Sequence, residues 1–156
     1  PGDQEDLAGR PFVGPAGVVF DTALEEAGID RARTYVTNAV KHFKFVLRGK
    51  RRLHQTPGRE EIAACRWWID QERELIRPLL TVALGGTAAK SLFGKGVTIS
   101  RLRGAPQTLP GGCECWVTVH PSFLLRLPDP ESRRIERKKF VNDLKRIRAR
   151  ADELGS

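Results

Sequence analysis

Four cations and a histidine fall within ten residues, Arg48-Gly-Lys-Arg-Arg-Leu-His54-Gln-Thr-Pro57. An imidazole is largely neutral near physiological pH and is then a competent nucleophile. The cations around it suit a polyanion. Gly49 and Pro57 punctuate the stretch and no apolar period runs through it, so it reads as an exposed loop rather than a helix or strand. The same run is also compatible with a solvated surface or a nonspecific basic patch.

Other chemistry-bearing residues fall where strands are expected to end. Thr34–Val40 is short and rich in β-formers and delivers Asn38 at its end, and Trp116–Val119 does the same for His120. Leu79–Leu84 runs into Gly85-Gly86-Thr87 and a short helix over Ala88–Phe93, a strand–turn–helix arrangement that suits an anion but also occurs without one. Asparagine is also an ordinary turn former. Phe12 stands in a polar loop, Pro1–Gly14, rich in glycine and proline.

Helices must position these groups. Val19, Phe20, Ala23, Leu24 and Ala27 predict a helix over Ala16–Ala27 capped by Gly28. Ile62, Cys65, Ile69, Glu72 and Ile76 predict one over Arg59–Ile76, stopped before Pro78, with Cys65 on an inward face. Ile135, Phe140, Leu144 and Ile147 line one side of a closing helix, Glu131–Leu154, whose many cations suit a solvated face. Val97–Pro110 reads as irregular strand and turn. Strands alternating with helices predict a parallel sheet covered on both faces, with functional groups at the strands' C-terminal ends.

Composition bounds the partner. The 156 residues fit one domain, and 27 Lys plus Arg against 19 Asp plus Glu give a net charge of +8, which favours nucleic acid. No apolar run reaches the roughly 20 residues that span a bilayer. Three cysteines do not suggest a disulfide scaffold. Cys113 and Cys115 are expected to point to opposite faces of a strand and to ligate neither zinc nor a cluster. The absence of methionine predicts a processed or partial chain.

Three stretches, Pro1-Gly-Asp-Gln-Glu-Asp6 with Gly9-Arg-Pro-Phe-Val-Gly14, Tyr35-Val-Thr-Asn-Ala-Val-Lys41, and His120-Pro-Ser-Phe-Leu-Leu-Arg126, occur in this order. In that order they resemble the iron–sulfur (family 4-like) uracil-DNA glycosylases, from Pro1 to about Arg126 and more weakly through the last helix. Lys50-Arg-Arg-Leu-His54 resembles the insertion of the UdgX-type group, which cross-links itself to the DNA it has cleaved.

The resemblance implies a three-layer α/β/α domain over residues 1–156 with a central parallel sheet, its first strand and the rest of the loop motif lying upstream of Pro1. It implies uracil excision with covalent capture by His54, and His120 stabilising the leaving base. Gly2, Asp3, Phe12, Asn38 and His120 would bind uracil. Lys50, Arg51, Arg52, Thr87, Arg103, Ser122 and Arg126 would hold DNA. His42 and Cys65 would supply two of four ligands to a [4Fe–4S] cluster, the other two lying upstream, so that the cluster is incomplete or absent in this chain. The implied partner is uracil-containing DNA, preferably single-stranded, met by a monomer in the bacterial cytoplasm. A noncatalytic uracil-DNA-binding module, a conventional family 4 enzyme and a plain phosphate-binding α/β protein are the alternatives.

Overall fold

Phe20, Ala23, Leu24 and Ala27 recur at helical spacing, and a computed structural model of the chain, describing residues 1–94 and 96–156, buries all four on helix α2 (Pro15–Ala27). Pro15 occupies the first turn, where its missing amide costs nothing. Gly28 closes the helix in the left-handed region at φ 74°. Ahead of it, Pro1–Gly14 is not wholly a loop, because Asp3–Ala8 forms helix α1. Its first turn carries Asp3, Glu5 and Asp6, which suit the positive end of the helix dipole.

Strand β3 (Leu80–Leu84) runs parallel to β5 (Glu114–Thr118), and the short β4 (Gln107–Thr108) pairs antiparallel on the other side of β5. Trp116, with Leu80, Val82 and Leu84, packs in one cluster with α2, α6 (Pro121–Arg126) and α7 (Pro130–Leu154). Ala83, Cys115 and Val117 pack in the other, with Ile69 of α3 (Arg59–Ile76) and with Ala89 and Leu92 of α4 (Gly86–Phe93). Helices on both faces explain the apolar runs Val82–Leu84 and Cys115–Val117. On α7, Phe140, Val141, Leu144 and Ile147 are buried while Ile135 is exposed. On α3, Cys65 and Ile69 are buried while Ile76 is exposed.

The architecture is α/β, but the sheet is mixed rather than parallel and has three strands. Thr34–Val40 is not a strand. It follows the 3-10 turn Arg31–Arg33 and pairs with no strand among the described residues, so β-formers without a partner leave it without regular structure. Val97–Pro110 contains the short helix α5 (Ile99–Leu102) as well as β4.

The basic stretch is likewise not a loop. Phe45–Arg48 (β1) and Arg51–His54 (β2) form an antiparallel hairpin around Gly49-Lys50. Gly49, at φ 64°, supplies the left-handed backbone that a two-residue hairpin turn needs. The expectation that Cys113 and Cys115 point to opposite faces also fails, since residues two apart share a face of a strand. Cys113 approaches Thr81, whose strand partner is Cys115. Among the described residues no helix is long and apolar enough to cross a membrane.

Candidate active site

His120 lies two residues beyond the end of β5 and caps α6. Its Nδ1 accepts the Ser122 backbone N–H at 3.1 Å and lies 2.8 Å from Ser122 Oγ, to which Arg126 Nη1 donates at 3.2 Å. Burial pushes the His120 pKa down to about 4, and the charge of Arg126 adds to the effect. The ring is therefore neutral at pH 7. A backbone amide can only donate, so Nδ1 is the acceptor and the single ring proton sits on Nε2. The β3–α4 turn closes against this residue. A Cβ on Gly85, at φ 93°, would lie 2.9 Å from the Cβ of His120, so glycine is required there.

Phe12 adopts φ 55°, which a non-glycine residue holds only under constraint from its surroundings. Glu5 Oε1 accepts the amides of Val13 at 3.2 Å and Gly14 at 3.0 Å. From the other side the Phe12 carbonyl abuts α2, where a Cβ on Gly17 would lie 2.0 Å from its oxygen. The ring stacks with Phe20 at 4.6 Å and with His120 at 5.4 Å between centroids. Phe12 is thus half-buried rather than an exposed platform, and Glu5, overlooked as a site residue, helps to hold it. The signal for Glu5 was its place just ahead of a glycine-rich loop whose amides lack helix or sheet partners.

The hairpin carries His54 opposite Phe45, and the imidazole stacks with Phe43 at 6.0 Å. Arg52 lies over Phe43 and Phe45 at 5.1 and 5.2 Å and forms ion pairs with Asp3 and Asp6 of α1. Arg52 and Asp3 are thus engaged with each other. The guanidinium latches the hairpin to α1, and Lys50 and Arg51 are exposed at the tip. Burial lowers the His54 pKa and Arg126 lowers it further. His54 also lowers that of His120.

Asn38, with Thr37 and Lys41, lines a cleft of about 230 Å³ against Glu5, Asp6 and Arg10. Phe12 lines a neighbouring hollow, the two sharing Arg10 and Pro11. Gly2 and Asp3 line neither. A Cβ on Gly2 would meet the Glu5 carboxylate at 2.8 Å. Thr87 lies in the first turn of α4 beside the glycine turn. Arg103 is held by two carboxylates of α7. Its Nε donates to Asp143 at 2.7 Å and its Nη1 to Glu136 at 3.1 Å, and Thr118 shares Asp143 at 2.6 Å. A largely buried guanidinium so paired ties the sheet to α7.

For a metal, Cys65 is 3% exposed and its Sγ accepts the Lys41 amide at 3.4 Å, which sets His42 one residue away. An N–H···S bond suits a cluster thiolate, while His42 itself is exposed. Among the described residues no three His, Cys, Asp or Glu side chains gather as a metal site.

These features define an α/β protein whose candidate site lies at the C-terminal end of a sheet strand beside a cationic hairpin. The family model of the uracil DNA glycosylase superfamily matches residues 1–145, and the chain belongs to that superfamily. It is 42% identical over 136 residues to the type-4 uracil-DNA glycosylase of Thermotoga maritima, covering 86% of this chain and 67% of that protein. The type-4 enzyme of Archaeoglobus fulgidus is 31% identical, with 94% and 71% covered, and that of Pyrobaculum aerophilum 33%, with 82% and 65% covered. The matched region spans about two thirds of the length of these relatives.

Proposed function

We propose that the chain removes uracil from DNA and that His54 then captures the deoxyribose. Its relatives are named uracil-DNA glycosylases, and the observation that carries the reading of this site is the neutral His120 with its proton on Nε2. A base-excising enzyme takes the nucleotide out of the stack. Asn38 then reads the uracil edge and Phe12 bears on its ring. As the C1′–N1 bond breaks, its electron pair leaves with uracil, and the His120 Nε2–H donates to the oxygen on which charge builds. A fixed donor at that position is the largest kind of electrostatic help. Ser122 and Arg126 hold the ring of His120 and meet phosphate, as do Thr87, Lys50 and Arg51.

The sugar left behind has an electron-poor C1′. The lone pair of the neutral His54 imidazole forms a C1′–N bond there, and the ring's other proton passes to solvent. Proximity, not unusual basicity, lets His54 outcompete water. His42 and Cys65 would hold two corners of a [4Fe–4S] cluster, which would brace α3 against the segment carrying Asn38 and take no part in these steps.

A conventional, turning-over glycosylase is the second reading, favoured by relatives that all carry the type-4 name. Denaturing electrophoresis on a uracil-containing oligonucleotide separates the two. A covalent protein–DNA band that His54→Ala abolishes, while alkali-labile abasic sites persist, supports capture. Abasic sites without any band support turnover, and neither product removes the activity.

A further inference from the structure

Beside the Asn38 cleft lies a second hollow of about 400 Å³, sharing Arg10 and Pro11 with it and lined besides by Phe12, Val13, Arg31 and Tyr35. Of its lining, the proposed excision chemistry uses only Phe12. Tyr35 is 58% exposed, so it is not a core aromatic. Its hydroxyl end lies toward Glu72 of α3, which pairs with Lys41. Much of the ring surface remains in water.

The charge around the ring suits an anion. Arg10 has no carboxylate within ion-pair distance among the described residues. Arg31 lies 3.6 Å from Asp21, the one acidic side chain lining the hollow, and donates to Thr34 at 3.2 Å. One positive charge is left over. An aromatic face beside an uncommitted arginine is the combination that binds single-stranded nucleic acid, the ring taking a base and the cation its phosphate. A duplex, its bases already stacked, offers no face to Tyr35.

We propose that this hollow is a subsite for a nucleotide of single-stranded DNA flanking the one in the Asn38 cleft, with its base on Tyr35 and its phosphate at Arg10. The proposal rests on the functional reading above for its ligand, and the continuity of the two hollows through Arg10 and Pro11 supplies the path of the strand.

The test is fluorescence anisotropy of the chain with a uracil-free oligothymidylate and with a duplex of equal length. Tyr35→Ala should weaken single-strand binding roughly tenfold and leave duplex binding unchanged. Tyr35→Phe, which keeps the ring and deletes only the hydroxyl, should stay within about twofold of the parent, since stacking supplies the affinity. Arg10→Ala should flatten the log–log salt dependence by about 0.7.

Single-strand affinity unchanged in Tyr35→Ala overturns the subsite, and so does a Tyr35→Phe as damaged as Tyr35→Ala. Uracil release from the same preparations separates this claim from the function. A parent that releases uracil while Tyr35→Ala binds like the parent overturns the subsite alone. A parent that binds single strands through Tyr35 but releases no uracil supports the subsite and overturns the function.

Discussion

The protonation of His120 can be worked out from its surroundings. Its pKa falls from 6.5 to about 4 on folding, burial being the main cause. Between these values the unfolded chain binds a proton that the folded chain refuses. The native state is therefore favoured fully above pH 6.5, and this contribution is lost as pH falls toward 4. Linkage puts the loss at about 2 kcal/mol by pH 5 and about 3 kcal/mol by pH 4. His120→Gln has no such proton, so the unfolding free energies of parent and variant, from urea titrations at pH 7 and 5, should diverge by about 2 kcal/mol more at pH 5 than at pH 7, to the parent's disadvantage. Carboxylates elsewhere cancel in that difference. Long-range nitrogen–proton NMR spectra should show the Nε2–H tautomer at pH 7 and a midpoint near 4. A midpoint of about 6 or higher, or a proton on Nδ1, would refute the argument that the Ser122 amide and burial together fix the ring as a neutral donor.

Asn38→Ala should reduce single-turnover excision from single-stranded uracil DNA by about tenfold or more, because one partner of a buried recognition bond is lost; an unchanged rate removes Asn38 from the site. Replacing Lys50 and Arg51 together by serine should flatten the log–log salt slope on single strands by about 1.4, while Arg52→Ser should lower the hairpin's protection from hydrogen exchange and leave the slope alone. Iron and sulfide analysis of the protein in its natural sequence context should show cluster loss in Cys65→Ser and His42→Ala and retention in Cys113→Ser with Cys115→Ser; iron lost from the double serine variant instead would reverse the ligand assignment.

Much of the frame was legible because it depends on local period. The apolar spacing of α2 and α3 gave their extents nearly to the residue, and Gly28 marked where α2 ends. The stretches that became β3 and β5 were readable because strands covered on both faces carry apolar runs. What failed depends on partners distant in sequence. Thr34–Val40 has a strand's composition, but a strand requires a neighbour, and none of the described residues provides one. Arg103 is indistinguishable in sequence from a surface arginine until Glu136 and Asp143, more than 30 residues away, are brought against it. The position of His120 was legible from its strand, whereas its protonation state was not, since that state depends on burial and on which group faces Nδ1.

The basic hairpin shows why a run of cations cannot be taken as a uniform patch. Side chains alternate along a strand, so Arg52 and His54 share one face of β2 while Arg51 and Leu53 share the other. The two-residue turn at Gly49-Lys50 fixes the register that sets His54 opposite Phe45. A slip of one residue would turn Arg52 and His54 together to the opposite face. The ion pairs of Arg52 with Asp3 and Asp6 resist that slip, because they form only when the arginine faces α1. One latch therefore decides where the imidazole two residues later points. The Arg52 charge secures the orientation of the candidate nucleophile, while Lys50 and Arg51 stay exposed at the hairpin tip.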